Sequence, residues 1–162
     1  MNHLNIHRFN LNQTTGYVSG MWLSHYTVIN RANRLITAAQ NIVPDPNVII
    51  EVTPGNNITE VQYYNTILAQ AKALRAYSYF QLLTYFSPDL SDDEALGVML
   101  FENVPASDVK LPRVKNGEVF SLIESDLLFA ENNLVNRTDV AAYKFVTKNM
   151  INSLMMVNIG FL

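Results

Sequence analysis

His3 and His7 stand four residues apart in this 162-residue chain, a spacing that on a helix would bring two imidazoles to one side and could hold a metal ion. No third ligand lies near them in sequence, and the surrounding segment is polar and terminal, so a loose tail is expected rather than a metal site. Asp89, Asp92, Asp93 and Glu94 form an acidic cluster, but "DLSDDEALG" lacks the alternating oxygen ligands and central glycine of a calcium loop, and a solvated loop is expected. Glu124 and Asp126 are the one pair of carboxylates that invites a general acid–base reading. Residues two apart on a helix point away from each other, so they cannot share a substrate. The chain contains no G-x-S-x-G, no phosphate-cradling glycine loop and no H-E-x-x-H. Cysteine is absent, which removes disulfides, thiolate metal sites and a cysteine nucleophile. The residues therefore describe a non-enzyme without metal or cofactor.

Aromatic side chains are the remaining chemistry. Tyr17, Trp22, Tyr26, Tyr63, Tyr64, Tyr77, Tyr79 and Tyr85 offer faces of the kind that pack against sugar C–H groups while nearby polar groups bond the hydroxyls. Trp22 and Tyr26 lie on the apolar stripe of a helix, where core is the first expectation, and His25 stands at that stripe's edge. Tyr17, in the polar stretch "LNQTTGYVSG", is expected to be exposed. Tyr17 and Trp22 are the ligand-binding candidates. Arg75 sits among apolar residues and is expected to lay its stem along its neighbours and bring its guanidinium to an acidic or carbonyl partner.

Four segments with a 3.6-residue period must position these groups. In the first, Trp22, Tyr26, Ile29, Asn33 and Ile36 make a stripe that Ala32, Leu35 and Ala39 widen, ending before the Pro44 and Pro46 of "VPDPN". A loop from Asp45 to Asn57 follows, with Pro54-Gly55 as a turn. The second segment opens at Thr59, with Gln62 completing a capping box, and runs to about Phe86, where Ser87-Pro88 stops it. It carries two apolar faces, one of Tyr64, Ile67, Leu68, Ala71 and Leu74, the other of Ala73, Ala76, Tyr77, Phe80 and Leu83. Two such faces require two neighbours, and Ala69, Ala73 and Ala76 permit a close helix crossing. A long connection reaches Lys115, with "LGVMLFENV" as an extended piece of no evident partner. The third segment starts near Asn116 or Gly117 with Phe120, Ile123, Leu127, Ala130 and Leu134 on one stripe. The fourth is capped by Thr147, with Ile151, Leu154 and Met155 inward.

An apolar fraction of 49% against 15% charged residues describes a folded chain with a substantial core. A net charge of -3 with scattered lysines and arginines gives no footprint for nucleic acid. The fold class expected is all-α, with tetratricopeptide-like antiparallel helix pairs and long irregular loops: residues 1–19 as loop or tail, 20–86 as helices 1 and 2, 87–115 as a long loop, and 116–162 as helices 3 and 4. No regular 34-residue repeat is visible. The polar start lacks the apolar centre of an export signal, which leaves a cytoplasmic protein or a chain without its native beginning. Together with the apolar ending "VNIGFL", it leads us to expect a chain incomplete at both ends.

Three of these segments carry a family resemblance. "AKALRAYSYFQLLTYF" resembles the signature helix of SusD-like (SusD/RagB) proteins through Ala71, Leu74, Arg75, Ala76, Tyr79, Phe80, Leu82 and Phe86. "LGVML" is similar to the family's "G-V-P-L" loop, with Met99 in place of proline. Arg113, Glu118, Val119, Phe120, Ile123, Asp126, Leu127, Ala130 and Leu134 match the next motif in order and spacing. Upstream, Trp22, Tyr26, Ile29, Ala32, Asn33 and Ile36 fit the family's "W-x-x-x-Y-x-x-I-x-x-A-N-x-x-I" helix. Downstream, Thr147, Lys148 and Leu154 agree with the family, whereas "MMVNIGFL" departs from it.

The resemblance implies a truncated, incomplete SusD-like fold covering much of the N-terminal half of a surface lipoprotein of the Gram-negative outer membrane. It further implies non-catalytic binding of an oligosaccharide, polysaccharide or other nutrient, with a TonB-dependent (SusC-like) porin as partner. The export signal and lipidated cysteine of full-length members are absent from this chain. An exposed apolar patch is expected where the remainder would pack. The alternative is a stand-alone helical module that binds a protein or peptide in a groove.

Overall fold

The computed structural model describes residues 15–104, 109–135 and 144–159, with the side chains of 157–159 left aside. Four helices dominate: α1 (Gly16–Ala39), α2 (Glu60–Phe86), α3 (Asn116–Asn133) and α4 (Lys148–Ile159). Two short antiparallel hairpins join them, β1 (Ile49–Thr53) with β2 (Asn56–Thr59), and β3 (Leu96–Met99) with β4 (Arg113–Lys115). The fold is all-α in class, with strands of only three to five residues.

The longest helix, α2, begins as its capping box dictates. Thr59 Oγ1 accepts from the Gln62 amide at 3.2 Å and Gln62 Oε1 accepts from the Thr59 amide at 3.0 Å, satisfying two of the N–H groups that a helix start leaves free. It stops at Ser87, whose extended backbone is what a residue before proline must adopt. Between these ends α2 is the middle of a three-helix layer. Tyr64 meets the end of α1 by donating to the Ala39 carbonyl at 2.8 Å, while Phe86 meets its beginning through Trp22. On the other side Thr66 reaches the Asn133 carbonyl and Ser87 reaches Asn116. Both neighbours therefore run antiparallel to α2, as the two apolar faces require.

Ala69, Ala73 and Ala76 are fully buried at these crossings, where small side chains let helix backbones approach. The four stripe residues of α3 and Leu134 at its C-cap are all buried, and from α4 Ile151 is buried with Leu154 and Met155 packed against the same core. Thr147 caps α4, accepting from the Met150 amide at 3.3 Å.

Three expectations need correction. The helix α1 starts at Gly16, inside the stretch read as loop or tail, so Tyr17 belongs to its first turn. The segment from Asp45 to Asn57 is not simply a loop. Gly55, at φ 80°, occupies the left-handed position that a Pro-Gly turn reserves for glycine, and the turn folds Ile49–Thr53 back on Asn56–Thr59. The extended piece at Leu96–Met99 does have a partner, Arg113–Lys115. His3 and His7 lie outside the described residues.

Candidate functional site

Arg75 finds the acidic partner that its place in the sequence demands. Its Nε and Nη2 donate to the two oxygens of Asp126 on α3 at 2.7 and 2.9 Å, and its Nη1 donates to Asn33 Oδ1 on α1 at 2.6 Å. Lys72 adds a third donor to Asp126 at 2.9 Å while its ammonium rests over the Phe129 ring. The two-pronged geometry is the one a planar guanidinium makes with a carboxylate. Asp126 is thereby committed to the fold and holds no oxygen toward a solvent-facing Glu124, so the two do not form a carboxylate pair.

The network extends toward the surface. Asn33 Nδ2 donates to the Phe101 carbonyl at 2.9 Å. The Tyr79 hydroxyl donates to that same carbonyl and accepts from the Phe101 amide, both at 3.0 Å, pairing with the residue much as a neighbouring strand would. Burial pushes the Tyr79 phenol up to about 12, against the opposing pull of its bond to Phe101. Tyr26 donates to the Met99 carbonyl at 2.9 Å and stacks on the Phe101 ring at 5.6 Å; burial, the first cause, raises its pKa too.

Held this way, the chain from Met99 to Phe101 forms one wall of a groove whose other wall is α1. Trp22, Leu23, Tyr26, Thr27, Asn30, Arg31 and Arg34 line it from the helix, around a space of about 610 Å³. Trp22 is fixed from behind: Phe86 meets it edge-on at 4.8 Å, and the Arg113 guanidinium lies 5.8 Å from its ring centre. Arg113 in turn donates to the carbonyls of Phe86 and Gly97, each at 3.0 Å.

Of the two ligand candidates, Trp22 lines this groove and Tyr17 does not. Tyr17 is 38% exposed in the first turn of α1. His25 faces Tyr77 edge-on at 6.3 Å, and burial lowers its pKa. The sequence reading missed Leu23, Asn30, Arg31 and Arg34, although positions 23, 27, 30, 31 and 34 recur at helical spacing on the side of α1 away from the core. Phe101 gave no signal, because a loop residue acquires its place from distant side chains.

A second surface lies between α1 and α2, where Val28, Leu35, Ile67, Leu74 and Phe145 surround Ala32 and Ala71. Ile67 and Leu74 are 39% and 43% exposed, so the face of α2 that also carries Tyr64, Leu68 and Ala71 is only partly covered.

No protein-family model matches the chain, and no curated protein matches it. Solved structures do. A candidate sugar-binding protein from Bacteroides vulgatus superposes with a TM-score of 0.74 at 22% identity, over 99% of this chain and 36% of its own. A SusD superfamily protein from Bacteroides fragilis gives 0.73 at 21% identity, over 96% of this chain and 34% of its own. The fold is SusD-like. A laminarin-binding SusD-like protein matches with a TM-score of 0.64 at 21% identity, over 85% of this chain and 25% of its own. The chain thus spans about a third or less of the length of these proteins, and at such identities the likeness is one of fold.

Within that SusD-like fold the three resembling segments meet at one place. Asn33 comes from the first, Arg75 and Tyr79 from the second and Asp126 from the third, and the four are joined through the Arg75 and Phe101 bonds. Residues spread over more than ninety positions are one buried network.

Proposed function

We propose that this chain is the N-terminal helical portion of a SusD-like, non-catalytic binding protein that captures a glycan or related nutrient at the outer-membrane surface. The observation that carries the proposal is the aromatic groove of Trp22, Tyr26 and Phe101 set in a SusD-like fold. Ring faces beside hydrogen-bonding side chains suit sugars, whose C–H faces pack on aromatics while their hydroxyls seek polar partners. Proteins of similar fold include one that binds laminarin and one solved with a xylogluco-oligosaccharide. Trp22 is the proposed ring contact, and Tyr17, exposed at the N-terminal end of the same helix, is a proposed outlying one.

Anchoring as a lipoprotein and partnership with a TonB-dependent, SusC-like porin belong to the same reading, supported by the order and spacing of the three resembling segments. A longer protein, including this portion, would carry the full activity.

Affinity electrophoresis of the chain through gels containing laminarin, xyloglucan and a wider panel of polysaccharides tests the proposal. Retardation by at least one, weakened by Trp22→Ala in a variant with an unchanged circular dichroism spectrum, is expected. No retardation by any member of the panel would remove glycan binding from this chain. Turnover of a glycan, abolished by one Asp or His substitution, would return the protein to the enzymes.

A further inference from the structure

The groove along α1 has a charge that the chain as a whole does not. Net charge is -3, yet Arg31 and Arg34 both line the groove, three residues apart, and no Asp or Glu is among the residues lining it. Neither arginine has an ion-pair partner among the described residues. Arg34 is also held in place: its Nε donates to Asn30 Oδ1 at 2.8 Å, and its remaining N–H groups meet no acceptor among the described residues. Glu102 follows Phe101 in the chain but does not line the groove.

The contrast with the other arginines of the structure is informative. Arg75 is neutralised by Asp126, and Arg113 turns its Nη1 to two carbonyls and its guanidinium to the Trp22 ring. The groove arginines keep most of theirs, Arg34 giving only its Nε–H to Asn30, on the α1 wall that also carries the rings of Trp22 and Tyr26 and faces that of Phe101. Guanidinium groups recognise carboxylates and sulfates in a fork that an ammonium cannot copy, and exposed charge of one sign also steers an oppositely charged ligand inward.

We infer that the groove selects an acidic saccharide, its ring packed on the aromatic wall and its anionic substituent held by Arg31 and Arg34. This rests on the glycan-binding reading above and narrows it to a substrate class. The anionic group is a uronate carboxylate or a sulfate ester; both fit two guanidinium forks.

The test compares polygalacturonate, which carries only carboxylates, and dextran sulfate, which carries only sulfates, with neutral laminarin and xyloglucan. Binding is measured by affinity electrophoresis and calorimetry at low and high salt. The expected result is binding of one or both acidic polymers, weakened by salt and lowered about tenfold or more when Arg31→Gln and Arg34→Gln are combined. Lys110→Gln, a loss of charge at an exposed position outside the groove, should leave binding unchanged and so separates a built site from general attraction. Whichever acidic polymer is retained identifies the anionic group. Binding of neutral polymers alone, or an Arg31/Arg34 double variant as tight as the Lys110 control, overturns this inference and leaves glycan binding standing. Failure to bind any polymer removes both.

Discussion

Arg75 and Asp126 lie 51 residues apart in the chain and meet fork to fork at 2.7 and 2.9 Å with their side chains almost wholly buried. A charge in such a place is stable only while its partner stays, since solvent cannot replace the lost bonds. Asn33 joins the pair from α1, so one guanidinium ties together all three helices of the layer.

Removing one partner should therefore cost far more than removing both. Asp126→Leu is expected to destabilise by about 3–5 kcal/mol because it strands the guanidinium, whereas Arg75→Met combined with Asp126→Leu should lose much less than the two single changes added. Urea denaturation of the four members of the cycle measures the difference.

The requirement that Arg75 have an oxygen-bearing partner was legible in the sequence; the partner's identity was not, because a contact across 51 positions leaves no local trace. Local signals fared best. The Thr59–Gln62 capping box and the Ser87-Pro88 stop place α2 correctly, since both act within one helical turn. The start of α1 was missed because Gly16 and Gly20 are weak helix formers, and tertiary packing of the stripe overrides that preference. The first hairpin was missed because its second strand, "NNIT", is polar and short, so its period of two is faint. The groove was half legible: Trp22 was marked by type, while Phe101 and the two arginines depend on which loop the core holds beside α1.

Gly97→Ala should destabilise by roughly 1–3 kcal/mol. An added Cβ would meet Asn116 Oδ1 at 2.6 Å and Leu83 Cδ2 at 2.8 Å. Neither neighbour yields easily. Asn116 is held through its amide by Ser87, Asp89 and Asp92, and Leu83 is fully buried. Thermal melting of the variant against wild type gives the value.

Burial separates two leucines on α2. Leu83→Ala removes a side chain with no exposure and should cost about 2–5 kcal/mol, while Leu74→Ala, at 43% exposure, should cost distinctly less. Equal losses, measured by chemical denaturation, would mean that the face carrying Leu74 is covered in solution.

Alkaline pH should loosen the fold from within. The Tyr79 phenol ionises near 10 in an unfolded chain and near 12 in the folded one, so the folded state retains a proton that the unfolded state releases. Its contribution is complete below pH 10 and disappears as pH rises from there to about 12. Tyr26, raised in the same direction by burial, adds to the slope. Stability of the Tyr79→Phe variant, followed by circular dichroism from pH 8 to 11.5, should be lower than wild type at pH 8 and should fall less steeply above pH 10.

The backbone of Phe101 is held by side chains, Tyr79 from α2 and Asn33 from α1, where a sheet would hold it by other backbone. Backbone ladders are indifferent to sequence, but a ladder made of side chains is written in the genes. A single substitution deep between the helices can therefore reposition the outer wall of the groove by a fraction of an ångström without touching any surface residue. The shape of the groove in a protein built this way is open to evolution from the inside: the residues that set its width need never reach the surface.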